Sequence, residues 1–241
     1  MQGRGRLCAI SWTVAFCFKL QAVFLLPSLA VALFMGKVKT RHLLWIPAVY
    51  FISILPALLA GRGIMSCVSI YTEQVDYYSG LFFNTPSVWS LFGDNQIEEL
   101  GSMALYMSLA LLIIFTGICL SFRKEMSDRQ LVTLFFLSAF FAPFVLPRMH
   151  ERYFYMAEIF AIVYFIYDRR KWYVPVTLTL ASVTTYMRYF ALYSMTSQED
   201  YLAKTNGLSI TWLALAFLVI LAVECRSFFK ELWRKTPDTY I

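Results

Sequence analysis

Long apolar runs separated by short polar connections set the pattern of this chain. Leu43–Ala60, Ser102–Phe122, Leu131–Leu146, Phe154–Tyr167, Trp172–Phe190 and Gly207–Val223 each read as a membrane helix, which needs about 20 apolar residues to cross a bilayer core. Leu7–Met35 is longer, and Lys19, Gln21 and Pro27 interrupt it. It reads either as one tilted helix or as two short ones meeting at Lys19. Pro47 and Pro56 inside the second run are acceptable, because neighbouring helices can re-satisfy the freed backbone groups. Arg62–Gly101 does not read as a span. It is rich in Tyr and Ser, carries Glu73, Asp76, Asp94, Glu98 and Glu99, and contains the turn-prone Asn84-Thr85-Pro86. The pattern predicts an all-α fold: a polytopic transmembrane helical bundle of about seven spans (six to eight), as one transmembrane domain over residues 1–241.

Composition strengthens that expectation. Hydrophobic residues make up 59% of the chain and charged residues 15%, too few charges to cover a soluble core of this size. The aromatic content of 18% suits belts at the membrane interfaces. A net charge of +6 would point to nucleic acid in a soluble protein, but here the charge is sorted by loop. The connections 37–42, 123–129 and 168–171, with the tail 226–235, hold 13 of the 21 Lys and Arg residues. The opposite connections hold Arg62, Arg148, Arg152 and Lys204. The positive-inside rule then makes the basic loops and the C-terminus cytoplasmic, in a multi-pass protein of the plasma membrane. The side of the N-terminus stays open, and nucleic acid is not an expected partner. Five cysteines form neither a disulfide framework nor a metal-ligand spacing. The sequence contains no HExxH helix, P-loop, dinucleotide-binding glycine pattern or nucleophile elbow, so a soluble-type ATPase or protease is excluded.

The most compact group of chemistry-bearing residues is Pro147–Tyr155, which includes Arg148, His150, Glu151 and Arg152. If a helix begins near Pro147, Arg148 and Arg152 share one face, a fork suited to a phosphate. Glu151, Tyr155 and Glu158 then line another stripe. An ion-paired helix cap would explain the same charges. Glu158 favours a site, because an acid one turn into an apolar span costs about 2.5–3.5 kcal/mol on insertion scales. Lys19 and Gln21 interrupt the first run and suit either an anionic partner or simple snorkelling. Asp76 and Tyr77 are candidates for sugar contacts, against the plainer reading of a solvated loop.

Pro147-Arg148-Met149-His150-Glu151-Arg152-Tyr153-Phe154-Tyr155 after an apolar helix resembles the C-terminal half of GT-C superfamily glycosyltransferases, specifically bacterial mannosyltransferase-like proteins related to the GPI-anchor mannosyltransferases. Met156 stands where a proline is common in that family. The stretch Phe18–Pro27, with Lys19 and Gln21, is similar to the family's lysine-glutamine segment. Asn84-Thr85-Pro86-Ser87-Val88-Trp89 is similar to its Asn-x-Pro-Asn-aromatic turn, with Ser87 replacing the usual Asn.

The resemblance implies transfer of a hexose, such as mannose, from a polyprenyl-phosphate sugar donor to a lipid-linked or cell-surface acceptor at the outer membrane face. It places Arg148, His150, Glu151, Arg152, Lys19 and Gln21 on the donor phosphate. Asp76, Tyr77, Tyr155 and Glu158 are left as sugar or acceptor contacts. It assigns no catalytic residue, because the family's catalytic acid lies in a loop between the first two helices that this chain does not contain. The chain therefore corresponds to the C-terminal part of a longer GT-C-type fold, or acts beside another chain. No cofactor is called for, and a divalent metal is left open. The alternative is a non-catalytic membrane module that binds a lipid phosphate or a partner subunit. A transporter would need pseudo-symmetric halves, and the sequence has none.

Overall fold

In a computed structural model, which describes residues 4–76, 80–92, 100–193 and 208–235, the first apolar run divides at Lys19. Helix α1 (Gly5–Phe18) ends there because Lys19 is extended, at φ −156° and ψ 126°. A 3-10 stretch, Leu20–Leu25, and helix α2 (Leu26–Phe34) follow, with Pro27 in the first turn of α2 where its missing N–H costs nothing. The two-helix alternative for Leu7–Met35 is therefore the one adopted.

Two compact units make up the chain: Met1–Tyr78 with Thr116–Lys124, and Ser79–Phe115 with Glu125–Ile241. In the first, α1 packs against α3 (Trp45–Leu59), with Phe16 and Tyr50 ring centroids 6.5 Å apart. Trp12 Nε1 donates to the Ala22 carbonyl at 2.8 Å and folds the 3-10 stretch back along α1. The Gly36 turn closes α2: at φ 72° it lets Lys37 N–H reach the Ala32 carbonyl and its own N–H reach Leu33. These are the two bonds of a Schellman cap, which needs a left-handed residue. Helix α4 (Ile64–Asp76) lies inside the segment that the sequence pattern left without a span, and Tyr50 Oη donates to its Cys67 carbonyl at 3.1 Å.

The second unit is arranged around α6 (Asp128–Val145), of which 72% is buried. A helix apolar on every side needs neighbours on every side. They are α7 (Tyr155–Tyr167) and α9 (Leu208–Trp233), with α8 (Tyr173–Tyr193) against α7, and α5 (Gly101–Ser121), whose Phe115 ring lies 5.0 Å from that of Phe141. The rings of Phe140, Phe154 and Phe217 meet edge to face, with centroids 4.9 to 5.9 Å apart. Between membrane helices such close packing, rather than water exclusion, supplies the attraction. Ser127 caps the start of α6: its side chain accepts from Gln130 N–H, and Gln130 Oε1 accepts from Ser127 N–H at 2.9 Å. Ser127→Ala should cost about 1 kcal/mol, read as a lowered thermal midpoint; an unchanged midpoint would mean that the cap contributes nothing.

The described residues are mostly helical, and four helices are long and apolar enough to cross a membrane: Thr40–Leu59, Gly101–Ser121, Asp128–Val145 and Ile210–Trp233. The other apolar runs fall short for identifiable reasons. Lys19 splits the first. With 13 residues, α7 is about 20 Å long against a core of about 30 Å. Thr177, Thr179, Ser182, Thr184, Thr185 and Arg188 lower the apolar character of α8. The last helix, by contrast, runs ten residues beyond the Val223 boundary that its apolar pattern predicts, to Trp233.

Candidate functional site

Pro147 sets the local geometry. It holds Leu146 extended, at φ −69° and ψ 140°, so α6 stops at Val145. The freed Val145 carbonyl accepts from Trp89 Nε1 at 2.7 Å and from the Ser108 hydroxyl. Arg148 then takes a left-handed conformation, φ 62°, rare for a side chain other than Gly, Asn or Asp. Its N–H donates to the Leu81 carbonyl at 2.7 Å.

That bond starts a short parallel ladder in which β1 (Phe82–Phe83) pairs with β2 (Met149–His150), Phe82 opposite Met149 and Phe83 opposite His150. The His150 ring stacks on Phe83 with centroids 4.7 Å apart. Thr85 Oγ1 donates to the His150 carbonyl at 3.2 Å. Asn84, the other non-glycine residue with positive φ among those described, donates from Nδ2 to the Thr185 carbonyl on α8 at 2.7 Å. The Asn84-Thr85-Pro86 turn and the Arg148–Arg152 segment thus form one structure, though about 60 residues separate them in sequence.

Several polar atoms at this junction have no hydrogen-bond partner among the described residues: Asn84 Oδ1, Ser87 Oγ and Glu151 Oε2. Asn84 and Ser87 are fully buried, and Glu151 is 5% exposed. A buried polar atom without a partner costs about 1–3 kcal/mol, so three close together mark a place where a ligand group or water would be stabilised. Burial raises the Glu151 carboxyl above its ordinary range, against the lowering effects of its own backbone N–H and of Arg152. It is therefore easier to protonate than a surface glutamate.

Burial, with Arg152 nearby, pulls His150 down to about 4. At neutral pH its ring is uncharged and offers hydrogen bonds, not a cation. This sets a pH dependence. The folded chain keeps His150 neutral while the unfolded chain binds a proton below about 6.5, so its contribution to stability is present above that pH and is lost as pH falls toward 4. Glu151 acts in the opposite sense, gaining stability as it protonates in place, so the readout is a comparison. His150→Gln should shrink the drop in thermal midpoint between pH 7 and pH 5; the same drop in both proteins would contradict the assignment.

The helix expected from Pro147 onward is not formed. Glu151–Phe154 is a 3-10 turn and α7 begins at Tyr155, so Arg148 and Arg152 do not share a helix face, nor do Glu151 and Glu158. What brings the segment together is the ladder with Phe82–Phe83 and the packing of the turn on α8. Arg152 and Tyr155 are exposed. Glu158 is half-buried in the first turn of α7 and accepts a hydrogen bond from Ser182 on α8. Tyr186, one turn further along α8, lies within electrostatic reach of Glu151, Glu158 and Arg152. Ser182, Thr185 and Tyr186 carry no signal singly, but their clustering in the second half of an apolar run is a visible polar stripe.

Lys19 and Gln21 belong to the first unit. Lys19 is exposed at the break after α1, and the Gln21 side-chain oxygen is buried without a hydrogen-bond partner among the described residues. Asp76 is the last residue of α4, and its side chain lies outside the described residues, as does Tyr77 altogether. Among the described residues no group of His, Cys, Asp and Glu could hold a metal. Comparison of the chain with family models, curated proteins and solved structures finds no match.

Proposed function

We propose that the chain is a membrane glycosyltransferase of GT-C type, or the C-terminal part of one, that transfers a hexose from a polyprenyl-phosphate donor to a lipid-linked or cell-surface acceptor. The observation that carries this reading is the pairing of Phe82–Phe83 with Met149–His150. It joins the two polar segments that the family resemblance singles out, around Asn84, Ser87 and Glu151 oxygens that lack partners among the described residues. In this reading Arg148 and Arg152 hold the donor phosphate. The departing phosphate gains charge as the glycosidic bond breaks, and a guanidinium beside it stabilises that charge. Glu151 contributes a buried carboxyl oxygen and His150 an uncharged hydrogen-bonding ring. Tyr155 and Glu158, with Ser182 and Tyr186, would contact the sugar or acceptor.

The shorter helices α1 with α2, α7 and α8 would complete about seven crossings beside the four long ones. The basic connections and the C-terminus would then be cytoplasmic, and the Arg148–Arg152 turn would face outward. The second reading is a lipid-phosphate-binding module without turnover, for which the same cations at the Arg148–Arg152 turn would suffice. Supplying the reconstituted chain with a radiolabelled polyprenyl-phosphate hexose and acceptor extract separates the two. Transfer supports the enzyme, saturable donor binding without transfer supports the module, and neither binding nor transfer sinks both.

A further inference from the structure

The first unit holds an apolar cavity of about 280 Å³ between α1, α2 and the start of α3, lined by Cys8, Trp12, Leu29, Leu33, Val38 and Leu43 among others. An engineered apolar cavity of about 150 Å³ is enough for benzene, so this one has room for a run of methylenes. One end of it is strongly basic. Cys8 lies one helical turn from Arg4, and Val38 and Leu43 bracket Lys39 and Arg41. The start of α1 and the 37–42 connection abut so closely that a Cβ on Gly5 would come within 2.7 Å of the Lys37 carbonyl oxygen and of His42 Nδ1. Arg6 lies over the Trp45 ring, 5.6 Å from its centroid. Arg4, Arg6, Lys39 and Arg41 are all exposed.

Among the described residues no ion pair to these four cations is seen. The first acidic residue of the chain is Glu73, and no acid occupies the first turn of α1. Arg4 and Arg6 also stand at the positive end of a helix dipole, where cations are disfavoured unless an anion accompanies them. An apolar slot ending in a cationic rim matches a molecule with an alkyl chain and a negatively charged head.

We infer that the groove between α1, α2 and the start of α3 holds one acyl chain of an anionic glycerophospholipid, with its phosphate on Arg4, Arg6, Lys39 and Arg41. The site is independent of the glycosyltransferase proposal, since none of its residues is among those assigned to the donor or acceptor. It makes the lipid a bound component that fixes the α1–α2 turn against α3.

The test uses the full chain in nanodiscs of equal phosphatidylcholine and phosphatidylglycerol, extracted gently and weighed by native mass spectrometry. Phosphatidylglycerol should be retained over phosphatidylcholine by about tenfold or more. Replacing the four cations (Arg4→Gln, Arg6→Gln, Lys39→Gln and Arg41→Gln) should abolish the preference. Ala30→Phe, which fills the groove, should cut retention of phosphatidylglycerol by a similar factor. Equal retention of the two lipids, an undiminished preference in the neutralised chain, displacement by inorganic phosphate or preferential capture of a polyprenyl phosphate would each overturn the inference. Cys8 gives a second measurement on the unaltered chain, which stands even if the variants fail to fold. Phosphatidylglycerol, but not phosphatidylcholine, should slow Cys8 alkylation, mapped by peptide mass, by about tenfold; equal rates in the two lipids would overturn it.

Discussion

Alanine at Arg148 or at Arg152 is expected to lower sugar transfer by about 10²–10³-fold, the usual cost of removing one preorganised donor from a developing oxyanion. The two variants differ in what else they disturb. Arg152 is exposed on a 3-10 turn, and its side chain can be removed with little effect on packing. Arg148 sits at φ 62°, where a residue with a Cβ carries about 1–3 kcal/mol of strain. Arg148→Gly should therefore hold or raise the thermal midpoint while transfer is lost. Greater stability with lower activity is what a strained functional residue predicts. A glycine variant that is both less stable and fully active would show that the side chain serves the fold.

Breaking the buried ion pair at the other end of the second unit should have the largest effect on stability. Glu224 is fully buried and accepts from Tyr164 Oη at 2.7 Å, from Lys171 Nζ at 2.8 Å and from Tyr173. Burial alone would lower the Lys171 ammonium, but the Glu224 carboxylate outweighs it and holds Lys171 above its ordinary range. Glu224→Gln takes from that ammonium its carboxylate partner, and losing one partner of a buried pair costs about 3–5 kcal/mol. Lys171→Met with Glu224→Leu should recover most of the loss, leaving the Tyr164 and Tyr173 hydroxyls without their acceptor, the buried Tyr164 at about 1–3 kcal/mol. A double variant as unstable as Glu224→Gln would mean that packing, not charge, governs this site. Thermal unfolding in detergent reads all three proteins.

The helices were legible where one strong pattern ruled. The α5 and α6 boundaries follow the apolar runs within a few residues, and the cluster residues lie at the end of α6 as their order requires. The pattern failed where tertiary partners decide. The polar face of α4 hides a 13-residue helix within a stretch that reads as loop. Glu224 makes α9 look finished at Val223, because the Lys171, Tyr164 and Tyr173 side chains that neutralise it come from 51 to 60 positions away. The site was half visible. Its residue types are readable from Pro147–Tyr155, but their spacing suggests a helix face where the chain forms a 3-10 turn. The left-handed Arg148 and the ladder to Phe82–Phe83 depend on a segment far away in sequence, which no local period reports.

A photoreactive polyprenyl phosphate tests the central assignment most directly. Cross-linked to the full chain in a bilayer and mapped by peptide mass, its headgroup label should fall within 81–89 and 147–155. It should be competed by unlabelled polyprenyl-phosphate hexose and lost in Arg148→Ala/Arg152→Ala. Labelling confined to other segments, or unchanged in that double variant, would contradict the placement of the donor phosphate at this turn.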